Sequence, residues 1–463
     1  MTEKKIPKDG LRTAMDDLKR VFRVSVPEAN RIIYDFHREM VRGLSCKKSS
    51  LRMLPAYVDR PTGGEKGKFI ALDLGGTNRR ALEFELKGFG RSGKPKIMKF
   101  TLSKEEMDAD SSRFFDFIAK SLKLFLKKEK IRDASALGFT FSFPVRQSGI
   151  KTGILVCWTK GFNVKGVIGR DVVGLLTKAL IRNRIRGIDI TALVNDTVGT
   201  LAAKAYSDRN CDVGIILGTG TNACYIEPVN NIIKIKSYGR YSSSNMVVNV
   251  EWGNFNKLKR TVFDDILDKD SANPAEQILE KMVSGMYLGE LARIVLLHFN
   301  ERGLLFSPTS RKILSKKGIF KTDHMSGIEG DSLYGLKTID RLLNSLGIIG
   351  STLSDRTAVK NICSIISERA SRITAACTAA IITRMDPDLS RMHTIAIDGT
   401  LYEKHPNFSK NMRQCLIELL KGRASRVRIS LAKDASGKGA AIIAAVAMKG
   451  AWRGAKICKT TES

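Results

Sequence analysis

The chain has 463 residues, of which 43% are hydrophobic and 27% are charged, a composition typical of a folded protein too long for one ordinary core. Two domains are therefore expected. The sequence contains no apolar run of the roughly 20 residues that a membrane-spanning helix needs, and the charged N-terminus has no apolar signal core, which excludes the usual pattern of a secreted protein.

The formal net charge of +31 is the unusual feature of the composition. A basic surface attracts polyanions such as nucleic acid, anionic membranes and nucleotide phosphates. Because Lys and Arg are spread along the chain, the charge alone does not favour nucleic-acid binding. The eight cysteines form no C-x-x-C pair and the five histidines are dispersed, so we expect no zinc cluster and a reducing, cytoplasmic compartment.

The first segment with a clear pattern is helical, and the second is a hairpin. Residues 11–44 carry apolar side chains at helical spacing, with Pro27 where a helix can begin. Residues 68–86 predict a β-hairpin around a turn at 75–78. The N–H groups of such a turn can hold phosphates, with Asp73 facing a magnesium shell. An ordinary hairpin turn explains the pattern equally well.

A possible sugar-binding segment follows. Residues 111–130 predict an amphipathic helix, and residues 136–144 predict a strand that ends in a polar loop. Residues 154–162 then place Thr159 and Lys160 beside aromatic side chains, a combination that suits the apolar faces and hydroxyl rim of a sugar. Taken alone, the segment is explained more simply by aromatic side chains in the core.

The stretch from residue 191 to residue 222 holds two predicted strands that end in polar residues. Residues 191–194 lead into Asn195-Asp196-Thr197, and residues 213–217 lead into the glycine-rich segment 218–222. Open α/β sheets bind ligands at the carboxyl ends of their strands. One strand end offers a carboxylate, and the other offers backbone N–H groups for an anion. For these residues alone, a helix cap at Asp196 or Thr197 and a simple glycine turn are the commoner explanations.

The remaining sequence continues the alternation of helices and strands. Gly439 stands where a Walker A loop requires Ser or Thr, which argues against a P-loop kinase. The glycines and amides that open the last helix could still meet a phosphate. The predicted helices are 171–182, 278–299, 358–384 and one that opens at 434–441, and the predicted strands are 246–253, with an acid at its end, and 394–400, which ends in Asp-Gly-Thr.

Nine segments, in order along the chain, resemble the hexokinase family between about residue 26 and residue 447. Each is a weak signal alone, but nine in order are specific, and they favour a functional Asp196 over a simple cap. The segments are 72–78 (Leu-Asp-Leu-Gly-Gly-Thr-Asn), 141–144 (Phe-Ser-Phe-Pro), 158–162 (Trp-Thr-Lys-Gly-Phe), 194–200 (Val-Asn-Asp-Thr-Val-Gly-Thr), 218–225, 249–253, 284–290, 398–400 (Asp-Gly-Thr) and 436–439.

The resemblance implies an α/β fold with two lobes of the actin-like ATPase (ribonuclease H-like) type and a sugar cleft between them. The small lobe would span 56–195 and be joined by a C-terminal helix at 436–452. The large lobe would take 1–55 and 196–435. The implied protein is a cytoplasmic kinase of glycolysis that uses ATP with Mg²⁺, and sugar binding would favour lobe closure. One copy of each motif indicates a single catalytic unit.

The resemblance also implies residue roles. Asp196 would be the general base that takes the proton from the sugar's 6-hydroxyl, and Lys160 would offset charge on the transferring phosphoryl group. Asp73 would meet magnesium through water. The implied sugar-binding set is Ser142, Thr159, Lys160, Asn195, Asp196, Asn222, Glu251 and Glu290. The implied nucleotide-binding set is Asp73, Gly75, Gly76, Thr77, Asn78, Thr219, Gly399, Thr400 and Ser436.

Arg79 departs from the family pattern, which usually has phenylalanine after Gly-Gly-Thr-Asn. The added charge could tighten nucleotide binding or disturb a packed position, and the sequence leaves both open. The leading hypothesis is an ATP:hexose 6-phosphotransferase, with glucose as the expected hexose. The alternatives are a hexokinase-like sugar sensor with low activity and a polyanion-binding protein.

Overall fold

The computed structural model describes residues 8–45, 47–75, 79–132, 136–158, 161–238 and 243–448. The strands in these ranges are β1 (Leu54–Pro55), β2 (Lys66–Leu74), β3 (Arg79–Gly88), β4 (Arg91–Ser92), β5 (Lys96–Lys99), β6 (Ala136–Phe141), β7 (Val145–Gly149), β8 (Thr152–Leu155), β9 (Asp189–Val194), β10 (Cys211–Leu217), β11 (Thr221–Pro228), β12 (Asn245–Asn249), β13 (His393–Asp398) and β14 (Val427–Leu431). The α-helices are α1 (Lys8–Phe22), α2 (Val26–Leu44), α3 (Lys104–Met107), α4 (Ser111–Lys128), α5 (Val172–Arg182), α6 (Asp196–Ala205), α7 (Val262–Lys269), α8 (Ile278–Val283), α9 (Leu288–Glu301), α10 (Arg311–Leu314), α11 (Thr322–Glu329), α12 (Lys337–Ser345), α13 (Leu353–Met385), α14 (Thr400–Lys404), α15 (Phe408–Leu420) and α16 (Ala435–Met448).

Two mixed sheets organise the fold. The first sheet has the strand order β4-β3-β2-β6-β9, with β5 also paired to β3, and the second has the order β1-β12-β11-β10-β13-β14. In the first sheet β2, β6 and β9 run parallel, and in the second β10, β13 and β14 do. The predicted hairpin is confirmed, since β2 and β3 pair antiparallel from Lys66–Lys87 to Leu74–Arg79.

Alternate side chains of β2 enter two different hydrophobic cores, as the period of two in a strand requires. Phe69 and Ala71 pack on the side that α6 and α16 cover. Ile70, Leu72 and Leu74 pack on the opposite side with α4 and α5. A sheet covered by helices on both faces explains why residues 69–72 of β2 are all apolar and buried.

The last helix, α16, lies in very close contact with α6 and with the first sheet. A Cβ atom at Gly439 would lie 1.8 Å from the carbonyl oxygen of Gly199, and a Cβ atom at Gly138 would lie 2.1 Å from that of Ala440. Only glycine permits such close approach of two backbones. The contact brings Ser436, at the start of α16, to the end of β2, where its Oγ donates to Asp73.

Two predicted helical segments are each divided in the structure: the division of 11–44 agrees with the helix start predicted near Pro27, whereas the prediction of one continuous helix over 278–299 was wrong. Residues 11–44 form α1 and α2, because Ser25 caps α2 in a capping box with Glu28. Residues 278–299 form α8 and α9. The N–H of Gly285 donates to the Gly218 carbonyl over 2.8 Å, and the N–H of Met286 donates to Thr219. These tertiary bonds replace the helical ones at the break.

The strands of the first sheet lie within residues 66–194, whereas the second sheet uses residues 54–55 and residues 211–431. α16 returns to the first sheet, and residues 449–452 of the predicted helix lie outside the described residues. The division into lobes at 195/196 remains a prediction that this sheet membership supports. Among the described residues, no helix is both long enough and apolar enough to cross a bilayer.

Candidate active site

A cleft of about 420 Å³ lies where the two sheets present the ends of their strands. Strand β6 ends just before Ser142, β9 just before Asn195, and β10 just before the turn that holds Thr219. The structure therefore brings together side chains that are far apart in the sequence. The predicted site residues that line this cleft are Ser142, Asn195, Asp196, Thr219, Asn222 and Glu251.

Asp196 is the first residue of α6 and lines the cleft, half-buried. The helix cap is its neighbour Asn195, whose Oδ1 accepts from the Thr197 N–H over 3.0 Å. An Asp196 carboxylate oxygen also accepts from that N–H, over 2.9 Å. The positive end of a helix favours the carboxylate form of an acid. Asp196 thus places a carboxyl group at the cleft wall, and Asn195 does the capping that the sequence assigned to Asp196 or Thr197.

Amide and carboxylate groups form a bonded network, of which Asn222 and Glu251 line the cleft. The Nδ2 of Asn222 donates to Oδ1 of Asn249 over 2.8 Å and to Oε1 of Glu251 over 3.2 Å. The Nδ2 of Asn249 donates to the same Glu251 oxygen over 2.7 Å. Glu251 itself has left-handed backbone geometry, with a φ of 55°. Oriented amides and carboxylates bind hydroxyl groups with directional preference, so this network suits a sugar.

The structure does not bring Glu290 to the cleft. Its Oε1 accepts from Nε and Nη2 of Arg293 over 2.9 and 2.7 Å, and its Oε2 accepts from the Gly318 N–H. Glu280, on α8, lines the cleft instead, where an oxygen of its carboxylate accepts from the Thr221 N–H over 3.0 Å. Because the helix breaks after Val283, the two acids point to different surroundings. Glu290 therefore stays a prediction, and Glu280 is a further candidate for the sugar-binding set.

Asp73 lies buried at the end of β2 and is held by two partners. Its Oδ2 accepts from Nε of Arg80 over 3.0 Å and from Oγ of Ser436 over 2.8 Å. Arg80 also pairs with Asp434 over 2.7 Å. Burial raises the pKa of Asp73 above its ordinary value, although Arg80 and Ser436 oppose the shift. Two donors of the chain thus hold Oδ2, and the contact of Asp73 with magnesium through water remains a prediction.

Asp398, at the end of β13, adds a second carboxylate beside Asp73. Burial raises the pKa of Asp398 to about 6, and the charges of Asp434 and Asp196 add to the shift. The charge of Asp196 also raises the pKa of Asp73. Several acids that hinder one another's ionisation favour a bound cation, which relieves their repulsion. These buried and partly buried carboxylates offer oxygen ligands, the type that fits hydrated Mg²⁺.

The predicted nucleotide-binding residues that the structure describes lie near the ends of β2, β10 and β13 and at the starts of α14 and α16. Gly399 follows Asp398 with a φ of 132°, and a Cβ atom there would lie 2.2 Å from the Leu217 carbonyl oxygen, so the close turn requires glycine. Thr400 begins α14. The Ala435 N–H donates to Asp398 over 3.0 Å, which brings the start of α16 to this edge. Gly75 is buried directly after β2. Gly76, Thr77, Asn78, Thr159 and Lys160 lie outside the described residues.

Arg79 opens β3 and reaches toward the predicted sugar segment. Its guanidinium carbon lies 5.3 Å from the centre of the Phe162 ring, a cation–π contact, and its Nη2 lies 3.6 Å from Sδ of Met107. Phe162 in turn stacks on Trp158, with the ring centres 5.6 Å apart. The aromatic residues of this segment are part of the core, and Arg79 fills a packed position rather than disturbing it.

Two family models described as hexokinase match residues 14–206 and 212–446. Together they span most of the chain. The chain belongs to the hexokinase family. Among its relatives, Hexokinase-7 of Oryza sativa subsp. japonica is 42% identical over 424 residues, 88% of this chain and 91% of that protein. Human hexokinase HKDC1 is 39% identical over 451 residues, 95% of this chain and 48% of that protein.

The hexokinase fold is also confirmed by solved structures. A Schistosoma mansoni hexokinase described as complexed with glucose has a TM-score of 0.86 and 36% identity, covering 95% of this chain and 99% of that one. A second crystal structure of a hexokinase has a TM-score of 0.82 and 32% identity, covering 95% and 100%. The chain spans about half the length of several of the curated hexokinases it matches.

The sequence analysis of this hexokinase missed three residues that build the site. Asn249 completes the Asn222–Glu251 network, Arg80 holds Asp73, and Glu280 lines the cleft. Asn249 had a usable signal, since a polar residue two positions before Glu251 in an apolar strand points to the same face. Arg80 had the same signal, because in the hairpin it lies directly opposite Asp73. Glu280 had none, because the break in its helix depends on tertiary bonds.

Proposed function

We propose that this hexokinase transfers the terminal phosphoryl group of ATP to the 6-hydroxyl of a hexose. The observation that carries the proposal is the position of Asp196, a half-buried carboxylate in the cleft that Asn222 and Glu251 of the bonded network also line. Glucose is the proposed hexose, since a hexokinase of similar fold is described as complexed with it.

The sugar would be held by amides and acids that are themselves held in place. Glu251 receives two amide N–H groups, so its carboxylate is oriented before any ligand arrives. Glu280 is oriented by the Thr221 N–H, and Ser142 supplies a hydroxyl on the other wall. Groups that are placed in advance lose less conformational entropy on binding. Thr159 and Lys160 complete this proposed set.

Asp196 would accept the proton of the 6-hydroxyl as the new O–P bond forms. A carboxylate is a weak base toward an alcohol, but a loose phosphoryl-transfer transition state needs proton transfer only late. The Thr197 N–H at the start of α6 donates to the Asp196 carboxylate and helps to hold it in place at the cleft. Lys160 would offset negative charge on the transferring group.

Asp73 would hold the nucleotide's Mg²⁺ through water, while Thr219, Gly399, Thr400 and Ser436, with the turn 75–78, would contact the nucleotide. When bound, Mg²⁺ neutralises charge on the phosphates. The Asp73–Arg80 pair keeps the carboxylate in one orientation, and Ser436 ties that carboxylate to α16. The cytoplasmic location remains a prediction from composition and cysteine usage.

ADP release from MgATP tests the proposal, measured with and without glucose, mannose or fructose. We expect release that depends on glucose. Turnover with another hexose alone would keep the reaction and change the substrate. Sugar-dependent thermal stabilisation without ADP release from any hexose would contradict the proposal and favour the sugar sensor.

A further inference from the structure

Two neighbouring segments carry a large share of the net charge. Residues 117–132 and 178–186 contain ten Lys and Arg residues and a single acid, Glu129. All ten cationic residues are exposed. We call this set the basic face; it consists of Lys120, Lys123, Lys127, Lys128, Lys130, Arg132, Lys178, Arg182, Arg184 and Arg186.

The two segments form one continuous surface because α4 and the end of α5 are in direct contact. The Nζ of Lys123 donates to the Asn183 carbonyl over 2.9 Å. The guanidinium of Arg182 pairs with Asp116 over 2.9 Å, and Nδ2 of Asn183 donates to the same carboxylate. Both helices pack their apolar sides on the core of the first sheet, so their cationic sides are directed outward.

The basic face is poorly neutralised by the chain itself. Within the described part of the chain, Arg182 alone of the ten has an ion-pair partner. Lys120, Lys123 and Lys127 follow at spacings of three and four, where like charges destabilise a helix. None of the ten lines the active-site cleft, so the proposed kinase chemistry gives no reason for the cluster. An external polyanion would relieve this repulsion.

Two large aliphatic side chains lie among these cations. Leu124 is 59% exposed and Ile181 is 69% exposed. Leu124 lies on α4 between Lys120 and Lys127 at helical spacing, on the side that carries the lysines. Ile181 lies beside Arg182 at the end of α5. Exposed aliphatic groups inside a cationic cluster are the pattern of a surface that settles into the headgroup region of a bilayer.

We propose that the basic face docks on the surface of an anionic phospholipid membrane, with the lysines and arginines at the headgroups and Leu124 and Ile181 entering the boundary with the acyl chains. A nucleic acid also attracts cations, but base binding by single strands uses aromatic platforms. The basic face exposes aliphatic side chains and no aromatic one, which favours lipid. This inference is independent of the proposed kinase reaction.

Flotation of the full-length protein with vesicles tests the proposal. We expect binding to vesicles of phosphatidylserine and phosphatidylcholine in equal parts and no binding to phosphatidylcholine alone. Each cation near an anionic leaflet strengthens binding about fivefold, so the triple variant Lys120→Gln, Lys127→Gln, Lys178→Gln should lose about 100-fold in partition. A matched control, Lys312→Gln, Lys316→Gln, Lys337→Gln, removes the same charge from exposed positions elsewhere and should bind as the parent does.

A second pair of substitutions tests the aliphatic contribution. Leu124→Ser with Ile181→Ser keeps every charge, and we expect it to weaken vesicle binding and to make the remaining binding more sensitive to salt. Both residues are exposed, so the thermal unfolding of the double variant should match that of the parent. An equal loss of vesicle binding in both lysine triple variants would overturn the proposal, because binding would then depend on the net charge of the protein and not on the basic face. If the parent does not bind vesicles but is retained on DNA or RNA, and the first triple variant loses that retention, the basic face would be assigned to nucleic acid instead.

Discussion

Exchanging Glu280 or Glu290 for glutamine should separate sugar binding from stability. Glu280→Gln keeps an oxygen for the Thr221 N–H but removes the charge that faces the cleft. A hydrogen bond to a charged group contributes about 1.5–3 kcal/mol, so the dissociation constant for glucose should rise by about 10- to 100-fold. The free energy of unfolding without sugar should change by less than about 1 kcal/mol, because no core packing is lost.

Glu290→Gln should lower the free energy of unfolding and leave the dissociation constant for glucose unchanged. Its partner Arg293 has a side chain that is 4% exposed, and removing the negative charge leaves a buried cation with weaker compensation. Breaking a buried pair costs about 3–5 kcal/mol when one partner is deleted, and glutamine keeps one acceptor, so we expect about 2 kcal/mol. Urea denaturation and glucose titration by calorimetry measure both quantities on both variants. Weaker glucose binding from Glu290→Gln with intact stability would refute the assignment of Glu280.

Asp398→Asn should raise the free energy of unfolding at about pH 7.5 by roughly 2–3 kcal/mol, because the folded-state pKa of Asp398 is raised to about 6 and ionisation above that pH costs stability. The parent should lose stability as pH rises from about 4 to about 6, where the folded state binds more protons, and the variant should lose less; equal loss in both would contradict the raised pKa. Arg79→Phe should change the free energy of unfolding by less than about 1 kcal/mol, since an aromatic pair replaces a cation–π contact. It should raise the KM for MgATP about threefold at low salt, and a KM that is unchanged would show that the charge does not reach the nucleotide. Gly439→Ala should destabilise the fold by about 3 kcal/mol or more, because its Cβ would lie 1.8 Å from the Gly199 carbonyl oxygen. Gly327→Ala, whose Cβ would meet nothing within 4 Å, is the control and should be neutral in the same thermal melts.

The hairpin, the polar strand ends and most helices could be predicted from sequence because each depends on local pattern. Apolar runs followed by Asn195-Asp196 or by the glycine-rich segment 218–222 predict strands that present ligand-binding groups at their carboxyl ends. The structure brings these ends, which belong to two different sheets, to one cleft. The family resemblance added the order of the motifs, which separated a functional Asp196 from a simple cap.

The errors have tertiary causes. The helix predicted over 278–299 has continuous helical periodicity, and its break comes from bonds to Gly218 and Thr219, which are far away in sequence. Glu280 could not be found as a cleft residue without knowledge of that break. Partners set by the meeting of separate elements, such as Ser436 with Asp73, cannot be read from spacing, since 363 positions separate them.

The kinetic effect of Asp196→Asn tests the proposed reaction most directly. Asparagine keeps an oxygen for the Thr197 N–H and the shape of the cleft, but it cannot take a proton. We expect kcat for glucose-dependent ADP release to fall by about 10²- to 10⁴-fold. The dissociation constant for glucose should rise much less than kcat falls, because the Asn222, Asn249 and Glu251 network is intact. A kcat within tenfold of the parent's, with glucose still bound, would contradict Asp196 as the general base.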